Sequence, residues 1–284
     1  MNDFQYFFLY FCELLIYRME KKKILYISQE ICPYMSQSSM GDLSGALPQI
    51  MQESGRDIRI FLPRFGTVNE RRHQLHEVIR LSGMNLIIDD FDHQLIIKVA
   101  SIQQQRMQVY FIDNEEYFPR RQMFHDHEGN FMCNNDERMI FYCKGVIETV
   151  RKLGWSPDVI HCQGWFTSLV PMYIKKLYSE DPLFENTKVI YSVFDKGYKG
   201  KLSDTIIDKL LFENLEANDL SGLKNLNVNT LNKFAISYSD AVVQASEKIN
   251  KSVLSCIEDS GKPFLDFPGA VSYTHLRAHE TRRY

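Results

Sequence analysis

The chain has 284 residues, 44% of them hydrophobic, enough for a sizeable core in one large or two small domains. Its 33 basic and 36 acidic side chains leave a formal charge of −3, so neither nucleic acid nor an anionic membrane is an expected partner. Six cysteines (Cys12, Cys32, Cys133, Cys143, Cys162 and Cys256) are scattered without a Cys-x-x-Cys pair or Cys/His ligand spacing, which points to reduced thiols in a cytoplasm and argues against a zinc site or disulfide framework.

In chain order, residues 1–18 are apolar and aromatic but contain Asp3 and Glu13, and they fall short of the roughly 20 residues of a membrane-spanning helix. They also lack the basic start and small-residue cleavage site of a secretory signal, so they read as a misassigned start with Met19 as the native one. Glu20 and the three lysines after it lead into a first strand, Lys23–Ser28. A polar loop then opens a helix predicted over Leu43–Glu53, with Leu43, Leu47, Ile50 and Met51 on one face. Helix N-termini present unpaired N–H groups, so Gly41 and Asp42 are candidate ligand contacts, with a simple helix cap at Asp42 as the equal alternative. The loop carries Ser36, Gln37, Ser38 and Ser39 where a phosphate cradle needs glycines, and no GxGxxG follows the strand, which disfavours a dinucleotide-binding oxidoreductase.

Asp57–Leu62 reads as a second strand, completing a βαβ unit. Short apolar runs at Asn85–Ile88, Leu95–Ile102 and Met107–Ile112, separated by Asp89-Asp90 and Gln103–Gln105, predict a β-meander inserted after it. Arg71-Arg72 and the Pro119–Arg121 stretch read as solvated surface. His125, Asp126 and His127 share a polar loop without a second ligand pair, so no metal site is expected. Helices are predicted at Glu137–Leu153 and Thr167–Leu177, and buried strands at Lys188–Val193 and Ala241–Gln244.

Between those helices, Val159-Ile160 predicts a strand ending on His161, with His161, Cys162, Gln163 and Gly164 as a polar turn. Trp165, Leu169, Val170 and Tyr173 then follow at helical spacing. Ligands of open parallel sheets bind where strands end and helices begin, which makes this turn a candidate site. His161 is either a structural histidine or a ligand contact, and Trp165 either core or a stacking platform. Asp195 caps a turn or accepts a hydroxyl, and Tyr198 is either a turn residue or a contact. The alternation predicts a doubly wound, Rossmann-like α/β domain over residues 19–269, without repeats or linkers. Residues 270–284 break in composition from Ser272 onward and read as a non-native tail.

The segments KILYISQEICPYMSQSSMGDLSGALPQ and SGRDIRIFLPRFG resemble the opening of bacterial glycogen and starch synthases, which carry a Lys-x-Gly-Gly-Leu loop before a Gly-Ala-Leu-Pro helix. NDERMIFYCKGVIE (Asn135–Glu148), WSPDVIHCQGWFTSLVPMYIK and VIYSVFDKGYKG are similar to later landmarks of that family in the same order, so the resemblance runs from Lys23 to about Ile257. It implies the N-terminal half of a glycosyltransferase-B fold. Family members are retaining enzymes that move glucose from ADP-glucose or UDP-glucose to an α-1,4-glucan with no metal or other cofactor. Their N-terminal domain mainly meets the glucan, and a second domain, here supplied by a separate chain or by further sequence, holds most of the nucleotide sugar. A catalytically inert glucan-binding or regulatory module is the alternative.

The resemblance also locates departures from the family. Aligned on Gly45-Ala46-Leu47-Pro48, Ser36 stands at the family lysine position and Ser38 and Ser39 at two glycines. His161-Cys162-Gln163-Gly164-Trp165-Phe166 replaces His-x-His-Asp-Trp-His, placing Gln163 at the sugar-facing histidine, and Phe194-Asp195 replaces a His-Asn pair. No catalytic residue is assigned. The sugar-binding candidates are Asp42, His161, Gln163, Trp165, Asp195 and Tyr198.

Overall fold

A computed structural model describes residues 21–102, 107–118, 122–195, 197–198, 201–213 and 215–267. The expectations for residues 1–18, the Gln103–Gln105 turn, the Pro119–Arg121 loop and residues 270–284 lie outside those residues.

Ten strands form the sheet, in the order β10-β9-β8-β7-β1-β2-β6-β5-β3, with β4 paired to β5 off that path. Its centre is β1 (Lys23–Ser28), flanked in parallel by β2 (Asp57–Pro63) and β7 (Val159–Gln163). Beyond β7 lie β8 (Lys188–Val193), β9 (Ala241–Gln244) and the two-residue β10 (Phe264–Leu265), all parallel. Strands covered on both faces lack polar alternation, which is why KILYIS and VIHCQ read as unbroken runs. At the strand entry, Asp158 accepts from the Lys23 backbone N–H and the Lys22 ammonium, both at 2.9 Å, locking the starts of β1 and β7 together.

The predicted meander is present after β2 and continues the main sheet. β3 (His76–Glu77), β4 (Met84–Ile88) and β5 (Phe91–Ile102) are antiparallel, whereas β6 (Met107–Asp113) also pairs in parallel with β2 and joins the meander to the main sheet. β5 starts at Phe91 rather than Leu95, because Phe91–Leu95 pair with β4 and only the later residues pair with β6. Ile87 and Phe91 stay exposed near this hairpin's tip, beside Asp89, Asp90 and Asp92.

Helix α1 (Ser39–Glu53) starts four residues earlier than predicted, and its N-cap is Ser38, whose Oγ accepts from the Gly41 N–H. Asp42 therefore lies in the first turn and is not the cap. A Cβ on Gly45 would sit 2.9 Å from the Cys32 carbonyl oxygen, so glycine is what lets the loop after β1 lie against this helix. Helix α2 (Asn135–Lys152) buries most of its length. The predicted Thr167–Leu177 helix is broken into a 3₁₀ turn at Trp165–Thr167, a short α-turn at Val170–Met172 and a π-turn at Tyr173–Leu177, consistent with Pro171, which has no N–H to donate. Besides the single helical turn Glu70–His73, three longer helices escape the sequence patterns: α3 (Ile206–Leu211), α4 (Val228–Tyr238) and α5 (Lys251–Ser260).

Candidate functional site

A cavity of about 410 Å³ opens at the C-terminal ends of the parallel strands. Gln29 and Glu30 follow β1, Thr67 follows β2, Gln122 to His125 follow β6, Trp165 follows β7, and Gly197 follows β8. The chain leaves β1 toward β2 on one side of the sheet and returns through β7 on the other. The cavity therefore lies at the topological switch point where such sheets hold ligands.

The β7 end is tighter than predicted. His161, Cys162 and Gln163 are strand residues, and the turn is made by Gly164 alone, at φ 89°. A Cβ there would lie 3.0 Å from the Gln29 Oε1, so only glycine lets the chain reverse beneath Gln29, whose Oε1 accepts from the Phe166 N–H at 3.3 Å.

Of the six candidates, the cavity wall includes Trp165 alone. Trp165 is 2% exposed and packs on Phe124 and Tyr198, with centroids at 4.7 and 4.5 Å. Tyr198 stacks on Phe131 at 4.4 Å and donates to the Leu226 carbonyl at 3.2 Å, so it backs the tryptophan. His161 is buried, with its Nε2 2.7 Å from the Ser192 Oγ; desolvation pushes its pKa down to about 3 and keeps the imidazole neutral. Gln163 lies level with Ser28 and Ser192 across the sheet, fully buried, and neither polar atom of its side chain has a protein partner.

The remaining candidates lie apart from the wall. Asp195 is exposed and ties β8 to β9: its N–H donates to the Ser246 Oγ, which donates back to its Oδ1, both at 3.0 Å. Asp42 is half-buried and accepts weakly from the Gln37 Nε2 at 3.5 Å, and Ser36 is exposed.

Sequence reasoning missed most of the wall. Gln29 and Glu30 satisfy the strand-end rule that singled out β7, and the sequence raises His125 only in connection with a metal, which it argues against. Among the described residues, no group of three or more His, Cys, Asp or Glu side chains is placed to hold a metal ion. The Gln122–His125 segment is held by Arg138, buried at 1% exposure. Its Nε donates to the Tyr117 carbonyl and its Nη1 to the Met123 carbonyl, both at 2.7 Å, while the Asn135 Nδ2 donates to the Phe124 carbonyl at 2.9 Å.

Residues 23–261 match the family model described as the starch synthase catalytic domain. The chain belongs to this family. It is 36% identical over 196 residues to a glycogen synthase of Chlorobium limicola, covering 69% of this chain and 40% of the relative. It is 32% identical over 245 residues to that of Chlorobaculum parvum, covering 84% and 48%. The chain thus spans less than half the length of these curated relatives. The catalytic domain of starch synthase IV from Arabidopsis thaliana, solved bound to ADP and acarbose, superposes with a TM-score of 0.71 over 87% of this chain and 51% of that one. At 19% identity the likeness shows the fold, one half of the glycosyltransferase-B architecture, as the resemblance implied. No helix among the described residues is long and apolar enough to cross a membrane.

Proposed function

We propose that this chain provides the acceptor-side domain of a retaining glucosyltransferase that moves glucose from ADP-glucose, or UDP-glucose, to the non-reducing end of an α-1,4-glucan. The observation that carries this reading is the strand-end cavity, whose lining combines amide, hydroxyl, imidazole and carboxylate side chains with the aromatic rings of Phe124 and Trp165. A pyranose presents hydroxyls at its rim and C–H groups on its faces, which matches that arrangement. Trp165 is the sugar-facing aromatic, Tyr198 positions it, and Gln163 lies two residues before it in the chain. Family membership supports the reaction, and the starch synthase of similar fold was solved with ADP and acarbose. Most nucleotide-sugar contacts fall to a second domain beyond the matched segment, on a separate chain or on further sequence. The scattered cysteines support a reducing cytoplasm as the compartment, and the Chlorobium relatives a bacterial one.

The test is incorporation of labelled glucose from ADP-glucose into glycogen. The chain is assayed alone and with the separately produced C-terminal half of the Chlorobium limicola glycogen synthase, while calorimetry follows maltooligosaccharide binding. Incorporation above a no-enzyme blank in either arrangement, with measurable binding, is expected. Failure of both transfer and binding overturns the proposal.

A further inference from the structure

Two sides of the cavity are carried by different parts of the chain. Gln122 to His125 enter from β6 and are held by Asn135 and Arg138 in the first turn of α2, whereas Gly197 enters from β8 on the segment that leads into α3. The two sides meet through rings, Phe124 on Trp165, Trp165 on Tyr198 and Tyr198 on Phe131. Aromatic pairs hold over centroid separations of about 4.5 to 7 Å, so the rings alone let the sides shift.

A directional tie lies elsewhere, between α2 and α3. Ile206 and Leu210 of α3 are fully buried, and Lys209 beside them reaches α2 rather than solvent. Its ammonium lies 2.7 Å from the Asp136 Oδ2 and 2.7 Å from the Glu137 Oε1, with the Lys209 side chain 11% exposed and that of Asp136 0%. Charge-assisted bonds of this length are strong, and losing the ammonium leaves a buried carboxylate uncompensated. Asp136 and Glu137 stand between Asn135 and Arg138, the two residues that hold the Phe124 and Met123 carbonyls, and the Glu137 Oε2 also accepts from the Tyr117 hydroxyl at 3.2 Å. On the other side, the Leu226 carbonyl accepts from the Tyr198 hydroxyl at 3.2 Å and from the Leu202 N–H at 2.9 Å, which joins the backing of Trp165 to the residues that enter α3.

We propose that Lys209 is a positioning residue for the cavity: by clamping α3 to the first turn of α2 it fixes the spacing between the β6-side and β8-side walls. The proposal rests on the glucosyltransferase reading above for what the cavity holds, and adds to it the residue that sets the opening.

The experiment compares amide hydrogen exchange, by mass spectrometry, across the full chain in the native protein, Lys209→Met, Lys209→Arg and the double variant Lys209→Met with Asp136→Asn. The double variant carries no fully buried unpaired charge, so it reports on the clamp even where Lys209→Met folds poorly. In both proteins without the ammonium, exchange over residues 122–131 and 197–206 is expected to rise together by about tenfold, with β1 and β7 unmoved. Lys209→Arg keeps the charge and can bridge two carboxylates, and is expected to stay within about threefold of the native rate in both segments. Maltotetraose Kd, measured by calorimetry, is expected to rise about tenfold with the loss of the ammonium and about threefold or less in Lys209→Arg. Unchanged exchange in the two segments, a change in one alone, or an equal rise throughout the sheet overturns the clamp. An unmoved Kd in a variant whose two segments exchange faster overturns the positioning role. Faster exchange in both segments, with no maltotetraose binding by the native chain, keeps the clamp and overturns the glucan reading.

Discussion

The His161 Nε2 lies 2.7 Å from the Ser192 Oγ across the β7–β8 pair, with both side chains buried. With its pKa pushed down to about 3 by burial, His161 stays neutral in the folded chain, while the unfolded chain takes up a proton near pH 6.5. The unfolded state then binds more protons between these values, so the stability this site contributes is complete above pH 6.5 and falls as pH drops toward 3. From pH 8 to pH 5 the native chain should lose about 2 kcal/mol more than His161→Gln in urea unfolding. Parallel pH profiles for the two proteins would contradict this.

Gln163 carries a buried amide without a protein partner, an arrangement that costs about 1–3 kcal/mol. Gln163→Met keeps the length and removes the polar atoms, so the midpoint of urea unfolding should rise, by about 1–2 kcal/mol in stability. A loss of stability would mean that the amide is bonded in solution.

Arg138 lies between the rings of Phe65 and Phe118, its guanidinium carbon 5.4 Å from each centroid, while bonding the carbonyls of Tyr117 and Met123. Arg138→Met leaves those carbonyls without their charged donor and should cost about 3 kcal/mol in urea unfolding. Because Met123 and Phe124 line the cavity, maltooligosaccharide affinity should fall with it, and Arg138→Lys should recover only part of either loss. A cost below about 1 kcal/mol would show that the loop holds itself.

Burial pushes the Cys143 and Cys162 thiols up, whereas Cys133 is exposed. In the native chain at pH 8, Ellman's reagent should modify Cys133 readily, while Cys143 and Cys162 should react only after denaturant is added. Mass mapping of the labelled peptides checks this, and equal labelling of the three would show an open core.

The parallel sheet was legible because fully buried strands leave uninterrupted apolar runs, as in Lys23–Ser28 and Lys188–Val193. The strand part of β5 at Phe91–Gln94 was hidden, since it pairs only with β4 and stays largely in water, so polar residues are tolerated there. Helix α4 was hidden differently: VNTLNKFAISY mixes asparagines and a β-branched start into its helical pattern, and tertiary packing rather than propensity keeps it helical. At the site, residue types pointed to the strand ends, but exposure separated the candidates. His161 and Gln163 carry the chemistry of a cleft and lie inside the sheet, whereas the unremarked Gln29 and Glu30 face the cavity. Strand register decides which side chain reaches the opening, and the polar turn predicted over His161–Gly164 begins only at its last residue.

The β4–β5 hairpin has a bearing on how the molecule behaves in a tube. Among the described strands β4 pairs only with β5, the Ile87 carbonyl accepts from the Lys144 Nζ at 3.1 Å, and the greasy side chains of Ile87 and Phe91 stay exposed near the hairpin tip. Asp89, Asp90 and Asp92 surround it with negative charge, and copies of the chain repel one another there. At about 1 M salt, where charges are felt over only about 3 Å, that repulsion vanishes while greasy contacts strengthen. The chain should then cloud by stacking hairpin on hairpin while its interior is still intact, so its storage limit is set by a surface loop and its ionic surroundings.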